Sequence, residues 1–122
     1  MVAAGVAREM LVQVSYAIGV AKPVGIYVNT YGTSNVKVSD GEIAKIIGKM
    51  FDLRPAIIEK EYGLRKPIYK ETAAYGHMGR KPATVEKTFR SFNGKPDKVL
   101  TVHLFKWEEL DRVNAIKKEF GL

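Results

Sequence analysis

The residues that could do chemistry in this chain are two histidines and several carboxylates, and their spacing limits what they can bind. His77 and His103 lie 26 positions apart, and neither has an acidic neighbour three or four positions further on. The chain has no cysteine, so thiolate ligands are excluded. Because a protein-held zinc ion needs three or four ligands brought close together, we expect this chain to hold no metal.

Acidic residues cluster once, at Glu108, Glu109 and Asp111. They stand at the start of an apolar helical pattern, where negative charge is favoured by the helix dipole, so we interpret them as helix-opening residues. The sequence has neither the G-x-S-x-G pattern of an activated serine nor a P-loop. We therefore expect no catalytic residue in this chain.

One glycine-flanked loop, Gly76-His77-Met78-Gly79-Arg80, has features of an anion contact. Glycine amides beside an arginine can bind phosphate oxygens. The alternative, which we favour, is a tight turn in which His77 bonds to the backbone.

Length and composition predict one soluble globular domain. The 122 residues include 46% hydrophobic and 27% charged residues, ordinary values for such a domain. No apolar run approaches the ~20 residues that span a bilayer, and the N-terminus lacks the basic segment of a signal peptide. We expect a cytoplasmic protein with no membrane partner.

The net charge of +7 is concentrated in the second half of the chain. Residues 1–61 have 7 basic against 6 acidic residues, whereas residues 62–122 have 13 against 7. A basic half is typical of a solvated lysine-rich surface, and it also suits a module that binds nucleic acid or another polyanion. A third reading is a structural subunit that dimerises through a flat sheet face.

The elements that would position these residues are organised around residues 11–31. Alternation of apolar with small or polar residues predicts two strands joined at Lys22-Pro23. In the first, one face would hold bulky side chains for a helix to cover, in the order Val12, Val14, Tyr16, Ile18 and Val20.

Helices are predicted on both sides of this pair. Val2 to Met10 has a helical pattern without an N-cap, which favours a chain that starts inside a longer helix; a native start at Met1 is the alternative. Ser39 and Glu42 form a capping box before an apolar stripe, and residues 55–62 form a further helix that Gly63 ends.

Beyond these, residues 81–98 look basic and turn-rich, and the tail adds a strand at 99–105 and a helix at 107–120. Three strands with helices on one side predict an α+β fold, a two-layer α/β sandwich.

Four strings in order, VAAG (2–5), QVSYAIGVAKP (13–23), FDLRP (51–55) and PIYKETAAYGHMGR (67–80), resemble the C-terminal domain of S-adenosylmethionine synthase, or methionine adenosyltransferase. The resemblance implies one of three similar two-layer repeats of that fold, over residues 1–88 and N-terminally truncated. It implies that residues 89–122 are a strand-helix extension of the same domain. After Arg80, the aromatic residues that the family has are missing, and only Glu86 and Lys87 are kept.

The resemblance implies a transferase that makes S-adenosylmethionine from ATP and L-methionine, releasing phosphate and diphosphate. It implies Mg²⁺ and K⁺ in the full-length enzyme, with none bound by this chain alone, and a homodimer or homotetramer. The catalytic segments of the family precede these residues, so the chain alone is expected to be inactive. Ile18 matches a family position that contacts the adenine of the bound nucleotide. The alternative interpretation is that Ile18 is a core residue of the sheet, on the face that runs from Val12 to Val20.

Overall fold

The first sheet is a hairpin whose two faces differ in bulk. In the computed structural model, which describes residues 1–122, β1 (Leu11–Ser15) pairs antiparallel with β2 (Gly25–Asn29). Val14 lies opposite Ile26, and Val28 on the same face is 3% exposed. Successive side chains of a strand point to opposite faces, so this bulky face is available to a helix while the other stays exposed.

The helix that covers the bulky face is α1 (Asp40–Met50), and its N-terminus is the predicted capping box. The Ser39 hydroxyl accepts the Glu42 amide at 3.3 Å, and the Glu42 carboxylate accepts the Ser39 amide at 2.8 Å. Both bonds satisfy amide groups that a helix start leaves without partners. Ile43 and Ile47 of α1 are buried in the core that also contains Val28, as the sequence predicts.

The next helix, α2 (Pro55–Tyr62), begins at a proline and ends at a glycine. Proline suits a first helical position because the missing amide would have no partner there. Gly63 has φ +63°, its amide bonds Lys60, and the Leu64 amide reaches back to Glu59. These two bonds are the usual closure of a helix on a left-handed residue.

A second sheet follows a short helix. The helix α3 (Tyr69–Thr72) precedes β3 (Ala83–Phe89), which pairs antiparallel with β4 (Lys98–Leu104) over seven residue pairs. The strand β4 confirms the prediction, whereas β3 lies where a basic, turn-rich stretch was predicted. That part of the prediction is wrong, and the turn is confined to the residues between the two strands.

The tail forms less helix than its sequence pattern predicts. A 3-10 turn (Lys106–Glu108) follows β4, and the last helix, α4, covers only Val113–Phe120. Glu108, Glu109 and Asp111 therefore do not open the helix, which corrects their interpretation. Gly121 ends α4 with φ +68°, as expected of a helix stop.

The chain forms two units, each with its own core. Unit 1 consists of Met1–Ile57 and Leu110–Leu122, and unit 2 of Ile58–Glu109. The buried residues of unit 1 include Ala4, Val6, Val28, Ile43, Ala44, Ile47 and Ile116. Those of unit 2 are Ile68, Val102, Leu104 and Phe105. The α+β class is confirmed, with four strands in two separate sheets instead of three strands in one.

The predicted N-terminal helix over Val2 to Met10 is wrong. Only a 3-10 turn forms, Val2–Ala4, because Gly5 turns the chain with φ +86°. Ala7 then makes an isolated antiparallel bridge to Ser34, so the backbone there is extended. None of the helices is both long enough and apolar enough to span a membrane.

Candidate functional site

The loop between β1 and β2 places Ile18, the residue matched to an adenine contact. The strand β1 ends at Ser15, and the Val20 amide bonds the Ala17 carbonyl at 3.1 Å in a turn whose third residue, Gly19, has φ +79°. Ile18 stands at the corner of this turn and is fully exposed, at 107% of its reference area. The alternative, that Ile18 is a sheet core residue, is wrong.

Two hydrogen bonds fix the base of this loop. The Tyr16 hydroxyl donates to the Leu53 carbonyl at 2.5 Å, and the Val24 amide donates to the Ser15 carbonyl at 2.8 Å. The first bond ties the loop to the segment between α1 and α2, and the second continues the ladder of the hairpin. An apolar side chain is thus held in solvent on an anchored turn.

A groove of about 560 Å³ lies in unit 1 beside this hairpin, and its lining residues include Lys22, Ile26, Lys49, Phe51 and Arg54. Gly48 also lines it, and a Cβ atom there would lie 3.2 Å from the Cδ1 atom of Ile26. A glycine at this position therefore lets β2 and α1 approach closely.

The charges of this groove are partly neutralised by its own residues. Arg54 donates from Nε to both Asp52 oxygens, at 2.8 and 3.0 Å, and from Nη2 at 2.5 Å. These bonds lower the pKa of Asp52 and raise that of Arg54 from their ordinary values. Lys22 and Lys49 are the remaining cations of the lining.

The glycine-flanked loop of unit 2 is a tight turn, as favoured from the sequence, because the Arg80 amide bonds the His77 carbonyl at 3.2 Å. The His77 side chain bonds a carboxylate and not the backbone: its Nδ1 lies 3.1 Å from Oε1 of Glu108. The Gly79 amide points to Oε2 of the same carboxylate at 3.4 Å. The Gly79 amide, which could have bound a phosphate oxygen, thus donates to the Glu108 carboxylate of the protein itself.

Arg80, the cation of that loop, is also engaged within unit 2. Its Nη1 donates to the carbonyls of Ala74 and Gly76 at 3.0 and 3.2 Å. Its guanidinium lies 4.5 Å from the centre of the Phe105 ring, within the range of a cation–π contact. These contacts hold the loop against the end of β4.

Another ion pair in unit 2 gives a structural role to Lys87, which matches the family string after Arg80. Lys87 Nζ donates to the Pro67 carbonyl and to Oε2 of Glu71, both at 2.6 Å, with the Lys87 side chain 17% exposed. The bond from Lys87 lowers the pKa of Glu71. Lys87 therefore joins β3 to the segment around α3, a role that sequence spacing gave no means of finding.

No group of three or more His, Asp or Glu side chains lies close enough together to hold a metal ion. The carboxylates of this chain therefore offer no site that holds Mg²⁺ by three protein side chains.

Residues 1–87 match the model of the family described as S-adenosylmethionine synthetase, C-terminal domain. The S-adenosylmethionine synthase of Cytophaga hutchinsonii is 65% identical over all 122 residues, which make up 29% of its length. That of Phocaeicola vulgatus is 66% identical, again over the whole chain and 28% of its own length.

A solved structure of an unusual S-adenosylmethionine synthetase from Campylobacter jejuni superposes with a TM-score of 0.71 at 33% identity, over 96% of this chain and 26% of that one. The chain thus spans less than a third of the length of the relatives it matches. The relatives match through residue 122, beyond the family model.

Proposed function

Because this chain belongs to the S-adenosylmethionine synthetase family and matches its C-terminal domain, we propose that it serves as that domain in a methionine adenosyltransferase. The whole enzyme forms S-adenosylmethionine from ATP and L-methionine and releases phosphate and diphosphate. The observation that supports this most strongly is the 65% identity to such a synthase along the entire chain.

The chemistry of that reaction needs metal ligands and catalytic residues that we do not assign to this chain. A polyphosphate leaving group needs Mg²⁺, lysine and arginine around its developing charge, and the attacking sulfur needs orientation more than a base. The described residues form no metal-binding cluster. We therefore assign the Mg²⁺ and K⁺ ligands and the catalytic residues to other parts of the enzyme, and we expect this chain alone to be inactive.

This chain contributes to the reaction by presenting the Ile18 side chain to the adenine ring of ATP. A fully exposed isoleucine gains roughly 1.5–3 kcal/mol when it is completely buried, so partial cover by a flat adenine ring would gain about 1 kcal/mol. The turn at Gly19 and the Tyr16–Leu53 hydrogen bond hold the side chain in place before ATP arrives. Prior ordering of the loop reduces the entropy lost on binding.

The proposal includes the assembly and the division of the chain. We propose a homodimer or homotetramer in the cytoplasm, with residues 1–88 as the family domain and residues 89–122 as its extension. The alternative is a standalone basic module that binds nucleic acid or another polyanion; in its basic half, Arg80, Lys87 and Arg65 have partners within their own unit.

The test is a chimera in which these 122 residues replace the matching segment of the Cytophaga hutchinsonii synthase. We expect the purified chimera to convert ATP and methionine to S-adenosylmethionine, and both the isolated chain and the synthase without the segment to form none. A folded chimera without activity, or product formed by the isolated chain, would contradict the proposal.

A further inference from the structure

A small cavity in unit 2 is lined mainly by basic side chains. It measures about 140 Å³ and lies where the end of α2 meets the end of β4. Its lining consists of Lys60, Glu61, Tyr62, Gly63, Lys66, His103 and Lys106. Three lysines against one glutamate give a formal charge of +2 with His103 neutral. Lys60, Lys66 and Lys106 are members of none of the ion pairs in the structure.

The turn that ends α2 positions one of these basic side chains, Lys66. The turn at Gly63 returns the chain so that the Lys66 amide bonds the Gly63 carbonyl at 2.9 Å. The Lys66 stem lies over the open side of this glycine, where a Cβ atom would meet its Cδ at 3.5 Å. The Lys66 ammonium is therefore carried on a stem that packs against backbone.

The other side of the cavity is built by the end of β4. His103 Nδ1 is 2.9 Å from the Thr84 hydroxyl, its cross-strand neighbour, so the ring orientation is set and Nε2 is the nitrogen left for a ligand. Lys106 is half-buried and follows Phe105, which is 4% exposed and has φ +54°. A buried anchor directly before Lys106 limits where that side chain can go.

From this arrangement we propose that the cavity binds a tetrahedral oxyanion of the phosphate class. A cavity of about 140 Å³ has room for a group of the size of a phosphoryl group. Lysine ammonium groups and an imidazole N–H donate to phosphate oxygens, and these charge-assisted bonds are the stronger kind. In the tautomer in which the Thr84 hydroxyl donates to Nδ1, the Nε2 atom of His103 carries the hydrogen and can donate it to an anion. The site does not depend on the proposed function, because all its residues belong to this chain.

The two histidines make the test specific. The full chain, with ¹³C-labelled histidine, is titrated at fixed pH with inorganic phosphate, and the ring resonances of His77 and His103 are followed. We expect a saturable shift at His103 only. Sodium chloride at matched ionic strength is the control. A parallel titration with adenosine 5′-monophosphate decides the source: tighter binding than phosphate indicates a phosphate ester, and weaker binding indicates the free ion.

Charge variants complete the design. Lys106→Gln should weaken the phosphate affinity up to about fivefold, the range expected for loss of one ion pair at a partly exposed site. Lys117→Gln, which removes a charge from α4 in unit 1, should leave it unchanged. The proposal is overturned if chloride reproduces the His103 shift, if both histidines shift alike, or if the two variants bind phosphate equally.

Discussion

Replacement of Asp40 by alanine should destabilise the protein more than any other single loss of charge in unit 1. One oxygen of the Asp40 carboxylate accepts the Thr30 amide at 2.9 Å, and the other accepts the Thr30 hydroxyl at 2.8 Å. Thr30 is only 3% exposed, so both donors would be stranded without water. At roughly 1–3 kcal/mol for each of the two buried unsatisfied groups, we expect Asp40→Ala to lower the free energy of unfolding by about 2–6 kcal/mol.

Urea denaturation followed by circular dichroism at the helical band measures this loss. A double-mutant cycle isolates the interaction, because Thr30→Val removes the stranded hydroxyl. Asp40→Ala should cost about 1 kcal/mol less in the Thr30→Val background than in the wild type. The matched control is Glu119→Ala, which removes an exposed carboxylate of α4 and should change stability by less than about 0.5 kcal/mol. Equal losses for Asp40→Ala and Glu119→Ala, or no coupling to Thr30, would refute the reasoning.

Three further predictions concern the core, the loop and the pH dependence. Ile43→Ala removes a side chain with 0% exposure and should lower the free energy of unfolding by roughly 2–5 kcal/mol in the same urea assay, whereas a loss below 1 kcal/mol would contradict its place in the core. Ile18→Asp should leave the melting temperature unchanged, because the side chain is fully exposed, and raise KM for ATP in the chimera about fivefold or more; an unchanged KM would remove Ile18 from the adenine site. The folded-state pKa of Glu71 lies below its ordinary value of 4.5, so the Lys87 bond stabilises the fold fully above that pH and progressively less as the pH falls towards the lowered pKa. The difference in stability between wild type and Glu71→Gln should therefore shrink below pH 4.5, and a difference that grows there would show the opposite sign.

The elements that the sequence predicted correctly are those whose signals are local. The capping box of Ser39 and Glu42 fixes the start of α1, and the glycine after Tyr62 fixes the end of α2. Both depend on residues within a few positions of each other, whose geometry is the same in most contexts.

The errors occurred where tertiary contacts override a local pattern. The apolar spacing of Val2 to Met10 suits a helix, yet Gly5 and the Ala7–Ser34 bridge make that stretch extended. Residues 83–89 were missed as a strand because Lys87 interrupts the alternation of Ala83, Val85 and Phe89. Their pairing with β4, which begins nine positions after β3 ends, defines them.

The contacts of the candidate sites could not be predicted from the sequence, because they too join residues that are far apart along the chain. His77 and Glu108 are 31 positions apart, and Lys87 and Glu71 are 16 apart, so no helical or strand period relates them. The position of Ile18 came from the family string, and only the structure showed that β1 ends at Ser15 and leaves this residue in solvent.

The most direct measurement of the central claim is the mass and activity of the native polypeptide recovered from source cells with an antibody raised against this chain. The account predicts a polypeptide about three to four times as long, as the 28–29% coverage of its relatives requires, which forms S-adenosylmethionine from ATP and methionine. A species of 13.6 kDa alone, without that activity, would contradict it.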